Sequence, residues 1–292
     1  MREVPTMSST VRAATFIDKG GTGKTTVTAH LGVACARQGH EVLLIDLAGK
    51  QGDLAKHFGI WEHYQDLIDA DEAWPNIATV FNDQWNAIAD KLGDDAVRNL
   101  IFRTDERVDI IPAHPNLDGV DTELANIDDT ETRYSLLTQF LDEYIDPLRY
   151  DVVLIDLPGL TNNVSYNGLW AASNVIAPVE PSAFEAQQAE RLDADMAQIR
   201  EQFVEDMTLT MVIPNKVDTR TRLADEYLDV FTDEYPAAIA PEHVPDSQDI
   251  RNAIEEGHSV FRLESPSQTA EQARSAFVKN AKTLIQRLKE GD

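Results

Sequence analysis

Runs of consecutive apolar residues alternate along the chain with stretches whose apolar residues recur every three or four positions. The runs at 11–18, 41–46, 108–112, 151–157, 174–179 and 208–214 read as strands, and 238–244, interrupted by Pro241, as a seventh. Near-continuous apolar strands are expected where both faces of a sheet are covered. Between the first two runs, 25–38 places Val27, Leu31, Val33 and Ala34 at near-helical spacing, which predicts a helix. Buried strands separated by helical segments imply an α/β fold with a doubly wound, mostly parallel sheet and helices on both faces. The stretch 53–107 is the least regular and holds Trp61, Trp74 and Trp85. It is expected to form a helical excursion between the second and third strands, inside a single domain spanning 1–292.

Composition narrows the partners. The 292 residues can bury a substantial core without disulfides. With 51 Asp and Glu against 25 Lys and Arg, the formal net charge is −26. That mean field repels phosphate, so a basic nucleic-acid binder is excluded as a description of the whole chain, and only local basic patches remain open. Arginine exceeds lysine, 16 against 9. An acidic surface of this kind is expected of a halophilic protein in molar salt, where the screening length is about 3 Å. Cys35 is the only cysteine, which excludes an intrachain disulfide or a multi-cysteine cluster. Its apolar surroundings predict a buried, inert thiol. The longest apolar runs fall far short of the roughly 18 residues a membrane-crossing helix needs. The first residues lack the basic-then-apolar pattern of a signal peptide, so a cytoplasmic location is expected.

The candidate chemistry begins after the first strand. There Asp18-Lys19-Gly20-Gly21-Thr22-Gly23-Lys24-Thr25-Thr26 leads into the first helix. Glycines allow backbone N–H groups to close around phosphate oxygens, and the helix N-terminus adds unpaired donors. This is the context of a phosphate loop of a P-loop NTPase, with Lys24 reaching phosphate and the Thr25 hydroxyl available to Mg²⁺. The common motif has glycine where Asp18 stands, and Lys19 adds a second cation beside it. Two further strands end in carboxylates, Asp46 and Asp156. In open parallel sheets ligands sit beyond the carboxyl ends of the strands, so both point toward the loop.

The segment K-G-G-T-G-K-T-T at 19–26 resembles the deviant Walker A motif of the ParA/MinD superfamily of dimerising ATPases. The resemblance implies ATP and Mg²⁺ as cofactors and a homodimer in the ATP state. It implies that Lys19 reaches the partner subunit's phosphates and that Lys24 is the ordinary phosphate lysine. It further implies that Thr25 ligates the metal and Thr26 makes a further phosphate contact, with Gly20, Gly21, Thr22 and Gly23 forming the cradle. Asp156, followed by Leu157-Pro158-Gly159, resembles the Walker B aspartate, and Asp46 the first aspartate of the switch segment. Many members carry a second aspartate two residues on, where this chain has Ala48. Positioning of the attacking water then falls to Asp46, Gln51, Asp53 or a partner, and slow, partner-stimulated hydrolysis is expected. Asn215, in a segment reading N-K-x-D, resembles the residue that contacts adenine, and Pro245 and Asp246 a segment lining the base; GTP is the alternative nucleotide.

Segments at 108–124 and 244–267 resemble ParA/Soj proteins in particular, whereas 61–106 does not take part. The resemblance implies DNA partitioning or segregation, with a ParB-like or other stimulating partner. The alternatives are MinD-like positioning on a membrane and positioning of a protein cargo. The single cysteine excludes an Fe–S-bridged dimer, and no tyrosine follows Tyr235 as a C-terminal tyrosine-kinase cluster requires. Arg220, Arg222 and Arg251 are candidates for non-specific contact with DNA phosphates. The segment 267–292 carries five cations against three anions on an amphipathic helix pattern. Its apolar stripe lacks bulky aromatics, which makes a membrane anchor the less expected use.

Overall fold

The computed structural model describes residues 10–49, 52–82, 85–181, 196–197, 207–218, 220 and 222–291. Seven strands form one sheet: β1 (Val11–Thr15), β2 (Val42–Asp46), β3 (Phe102–Arg103), β4 (Val108–Ile111), β5 (Val152–Asp156), β6 (Asn174–Val179) and β7 (Thr208–Pro214). Their order is β3-β4-β2-β5-β1-β6-β7. Every neighbouring pair is parallel except β3 with β4.

The alternation of side chains along each strand builds two cores. Leu43, Ile45, Val153 and Ile155 face one of them, and Val42, Leu44, Val152 and Leu154 the other. Helix α1 (Lys24–Arg37) and the C-terminal helix Gln268–Gly291 cover the second face. Helices Leu117–Ala125 and Asn163–Ala172 cover the first. Helix α1 is buried nearly all round from Val27 to Ala36, as a helix must be when it lies between a sheet and another helix. There His30 stacks on Phe277 of the C-terminal helix, with ring centroids 4.9 Å apart. Cys35 is buried in the same layer, and desolvation pushes its thiol up to about 12.

Two sequence expectations change. The stretch 238–244 is not a strand. It touches β7 at two isolated points, where Ala240 N–H donates to Val212 O at 2.8 Å and Val244 N–H donates to Pro214 O at 2.8 Å. Pro241 lies between them and has no N–H to continue the ladder. Strand β3 was not expected; two residues pairing antiparallel at an edge leave almost no periodic signal. The irregular stretch holds α2 (Asp53–His57), helices Trp61–Asp69, Trp85–Leu92 and Asp94–Arg98, and a 3₁₀ turn at Ile77–Phe81. Trp85 anchors it, packing edge-on against Phe140 and Tyr144 at 5.2 and 5.5 Å.

The C-terminal helix spends much of its charge on the fold. Arg287 donates to the carbonyls of Thr210, Ala238 and Ile239 at 2.8 to 2.9 Å, pinning the 238–240 segment to β7. Arg274 donates to Val260 O at 2.8 Å and also to Leu263 O. Lys279 pairs with Glu242 at 2.6 Å.

Candidate functional site

The loop after β1 wraps the start of α1. Gly21 and Gly23 have φ of 83° and 88°, the left-handed region that side chains resist. A Cβ on Gly23 would also fall 2.4 Å from Asn215 Nδ2. Asn215, just past β7, is buried, and its Nδ2 donates to Thr22 O at 2.8 Å. Lys216 beside it donates to Gly21 O and pairs with Glu180. The end of β7 thus holds the loop by its carbonyls, which leaves the loop's N–H groups to face the other way.

The cavity bordered by this loop has a volume of about 820 Å³. Gly20, Gly21, Gly23, Lys24, Thr25 and Thr26 line it, together with Ala48, Gly49, Asp53, Lys56, His57, Asp118, Asp121, Gly159 and Lys216. The Lys24 ammonium is buried and donates to Lys19 O at 2.6 Å. Burial lowers its pKa, while Asp156 and then Asp18 act to raise it. Gly159 is required here for space: a Cβ would sit 2.8 Å from both Lys19 O and Lys24 Nζ. Asp18 accepts from the Thr161 hydroxyl at 3.1 Å, tying the loop to the segment after β5.

The two strand-end aspartates are register partners on β2 and β5. Both are fully buried, and both carboxyls are held above the ordinary range, first by desolvation; Asp46 adds to the rise at Asp156. Asp46 turns inward and accepts from the N–H groups of Ala48, Leu54 and Ala113, so it shapes the backbone after β2. Asp156 accepts from the Thr25 and Thr28 hydroxyls. Its second oxygen, Oδ2, is buried with no hydrogen-bond partner. A hard cation, bound directly or through water, supplies such an oxygen with a partner, so Asp156 with Thr25 suits Mg²⁺.

Other sequence candidates lie apart from the cavity wall. Pro245 bridges to Val217, and Asp246 pairs with Arg251 at 2.5 Å. Arg220 is held by both oxygens of Asp218 at 2.7 and 2.8 Å. Each described arginine of the proposed DNA face therefore carries its own carboxylate. The Arg222 side chain and Gln51 lie outside the described residues. Lys19 is half-buried. Sequence reasoning did not single out Lys56, His57, Asp118 or Asp121. Lys56 and His57 stand in a segment without a motif, and Asp118 and Asp121 lie within 108–124 but are not among the residues that carry its resemblance; only their charge or ring chemistry could have marked them.

The family described as AAA domain matches residues 12–209. An uncharacterized protein of Methanocaldococcus jannaschii is 26% identical over 273 residues, covering 93% of this chain and 96% of that protein. The sporulation initiation inhibitor protein Soj of Bacillus subtilis is 27% identical over 232 residues, covering 77% and 82%. Among solved structures, cobyrinic acid a,c-diamide synthase from Mycobacterium smegmatis, with bound ATP analog and magnesium, is 25% identical. It superposes with a TM-score of 0.70 over 97% of each chain.

Proposed function

The chain belongs to the AAA domain family, among the ATPases of the ParA/MinD superfamily, and on that premise we propose that it is an ATP-dependent dimerising switch acting in DNA partitioning. The observation that carries the ATPase part of this reading is the meeting of the phosphate loop, the buried Lys24 ammonium and the unpartnered Oδ2 of Asp156 at one end of the sheet. ATP is the nucleotide and Mg²⁺ its metal, as in the similar synthase structure with an ATP analog and magnesium. Thr25 and Asp156 hold the metal, which when bound neutralises charge on the phosphates. The N–H groups of Gly20 to Gly23 cradle phosphate oxygens, and Lys24 and Thr26 contact them. Asp46 acts through the backbone it fixes, and Asn215 through its hold on Thr22. With Ala48 at the usual water-orienting position, turnover is slow and rises with a stimulating partner. The whole chain acts as one unit in the cytoplasm; among the described residues no helix is long and apolar enough to cross a membrane.

Lys19 is the residue that tests dimerisation. Lys19→Ala is expected to leave nucleotide binding by the monomer within about threefold, and to abolish the ATP-dependent dimer seen by light scattering. An unchanged dimer fraction overturns the cross-subunit role.

The surface to which the dimer binds is read by co-sedimentation with DNA and with anionic liposomes. Binding to DNA supports partitioning, and binding to liposomes alone overturns it in favour of membrane positioning. A second reading, positioning of a protein cargo, is favoured by the pairing of Arg220 and Arg251 with Asp218 and Asp246 and by the inward use of Arg274 and Arg287. Binding to neither surface supports it.

The acidic surface suits high ionic strength. Raising KCl from about 0.1 M to about 2 M is expected to raise the melting temperature, because screening removes repulsion among the excess carboxylates. A falling melting temperature over that range sinks the halophilic reading.

A further inference from the structure

Thr26 stands in the first turn of α1, held from two sides by histidines. Its carbonyl lies 2.8 Å from His30 Nδ1, and His30 Nε2 accepts from Val260 N–H at 3.1 Å. Its hydroxyl lies 3.3 Å from His57 Nε2. His57 Nδ1 is 2.7 Å from the Asp53 carbonyl, which can only accept. Nδ1 therefore carries the ring proton and Nε2 offers a lone pair, so the Thr26 hydroxyl is the donor. His57 is 5% exposed, and burial lowers its pKa, which keeps the ring neutral.

A hydroxyl has one proton to give. On the ATPase reading above, a phosphate oxygen in the loop competes with His57 for it. We infer that His57 is a positioning residue for the ATPase reaction: it accepts the Thr26 hydroxyl when the loop is empty and loses it when phosphate takes that proton, so α2 responds to nucleotide. A buried acceptor left without a donor is unfavourable, which drives α2 to shift. Helix α2 follows directly on the segment carrying Ala48 and Gly49, both on the cavity wall. A shift of α2 therefore re-forms the wall beside the bound phosphates, at the place where this chain lacks the second aspartate.

The test uses the full chain as wild type, His57→Leu and His57→Gln. Three quantities are read: binding of a fluorescent ATP analogue, kcat and KM for Mg-ATP, and melting temperature. In His57→Leu phosphate no longer competes for the hydroxyl, so the analogue is expected to bind about threefold tighter while kcat falls about tenfold. His57→Gln presents Oε1 to the same hydroxyl and is expected to restore kcat to within about threefold of wild type. Unchanged kcat in His57→Leu overturns the inference, as does weaker binding in step with a lower melting temperature that glutamine does not rescue. Thr26→Val removes the shared proton from the other side and serves where His57→Leu does not fold; its kcat is likewise expected to fall about tenfold, and an unchanged value overturns the inference. A wild-type chain that binds no Mg-ATP overturns the ATPase reading and this inference with it. Wild-type hydrolysis with unaltered His57→Leu kcat overturns the inference alone.

Discussion

Lys24→Ala is expected to weaken ATP binding roughly a hundredfold, equal to about 3 kcal/mol, because it removes a charge-assisted donor from the phosphate site. The ammonium is already in place, donating to Lys19 O at 2.6 Å in a buried position. Phosphate then has only to accept a hydrogen bond from the same ammonium, which has three N–H donors and gives one of them to the Lys19 carbonyl. Arginine is not expected to rescue. Even a single Cβ on Gly159 would lie 2.8 Å from Nζ, so the segment after β5 passes close beside the ammonium, and a planar guanidinium needs more room. Titration with a fluorescent ATP analogue measures the effect. An affinity within about threefold of wild type would show that the phosphates bind elsewhere.

Asp156→Asn separates the metal from the fold. Hydrolysis of Mg-ATP is expected to fall about a thousandfold, since an amide is a poor ligand for a hard cation. Nucleotide binding without Mg²⁺ should change little. The nucleotide-free protein, in contrast, should become more stable. Asp156 and Asp46 are buried side by side, and their carboxyls are held above the ordinary range. The folded state therefore binds more protons than the unfolded one across that interval, and wild-type stability declines as pH rises through it. The variant carries one carboxylate fewer, so its advantage should be larger near pH 8 than near pH 5, reaching about 2 kcal/mol or several degrees in melting temperature. Thermal melts of the metal-free protein at the two pH values check this. A variant less stable than wild type at both would refute the idea that the carboxylate pair strains the apo fold.

The glycine-rich loop after β1 could be read from the sequence because contiguous residues form its curve. Gly21 and Gly23 take the left-handed torsions there, and Lys24, Thr25 and Thr26 open the helix that follows. The strands ending in Asp46 and Asp156 were legible for a similar reason, since an apolar run states both its burial and where it stops. The expectation at 238–244 failed because a single proline outweighs the apolar residues around it once a ladder has to be bonded. Charge was the least informative signal. Arg274 and Arg287 count as surface cations in the sequence, yet in the structure they donate to buried carbonyls. Nothing in one dimension distinguishes an arginine that serves water from one that serves a backbone 77 residues away.

The net charge of −26 and the order of apolar runs are properties of the chain alone, and so are the loop and the fold class they imply. They follow from local rules: periodicity, glycine torsion and the needs of phosphate. Packing decided the rest. It set Asp46 against Asp156 across a strand pair, brought Asn215 and Lys216 onto the carbonyls of Thr22 and Gly21, and placed His57 against Thr26. Those contacts join residues 31 to 195 positions apart. Their geometry exists only after the sheet and its helices have closed, so no local pattern encodes it.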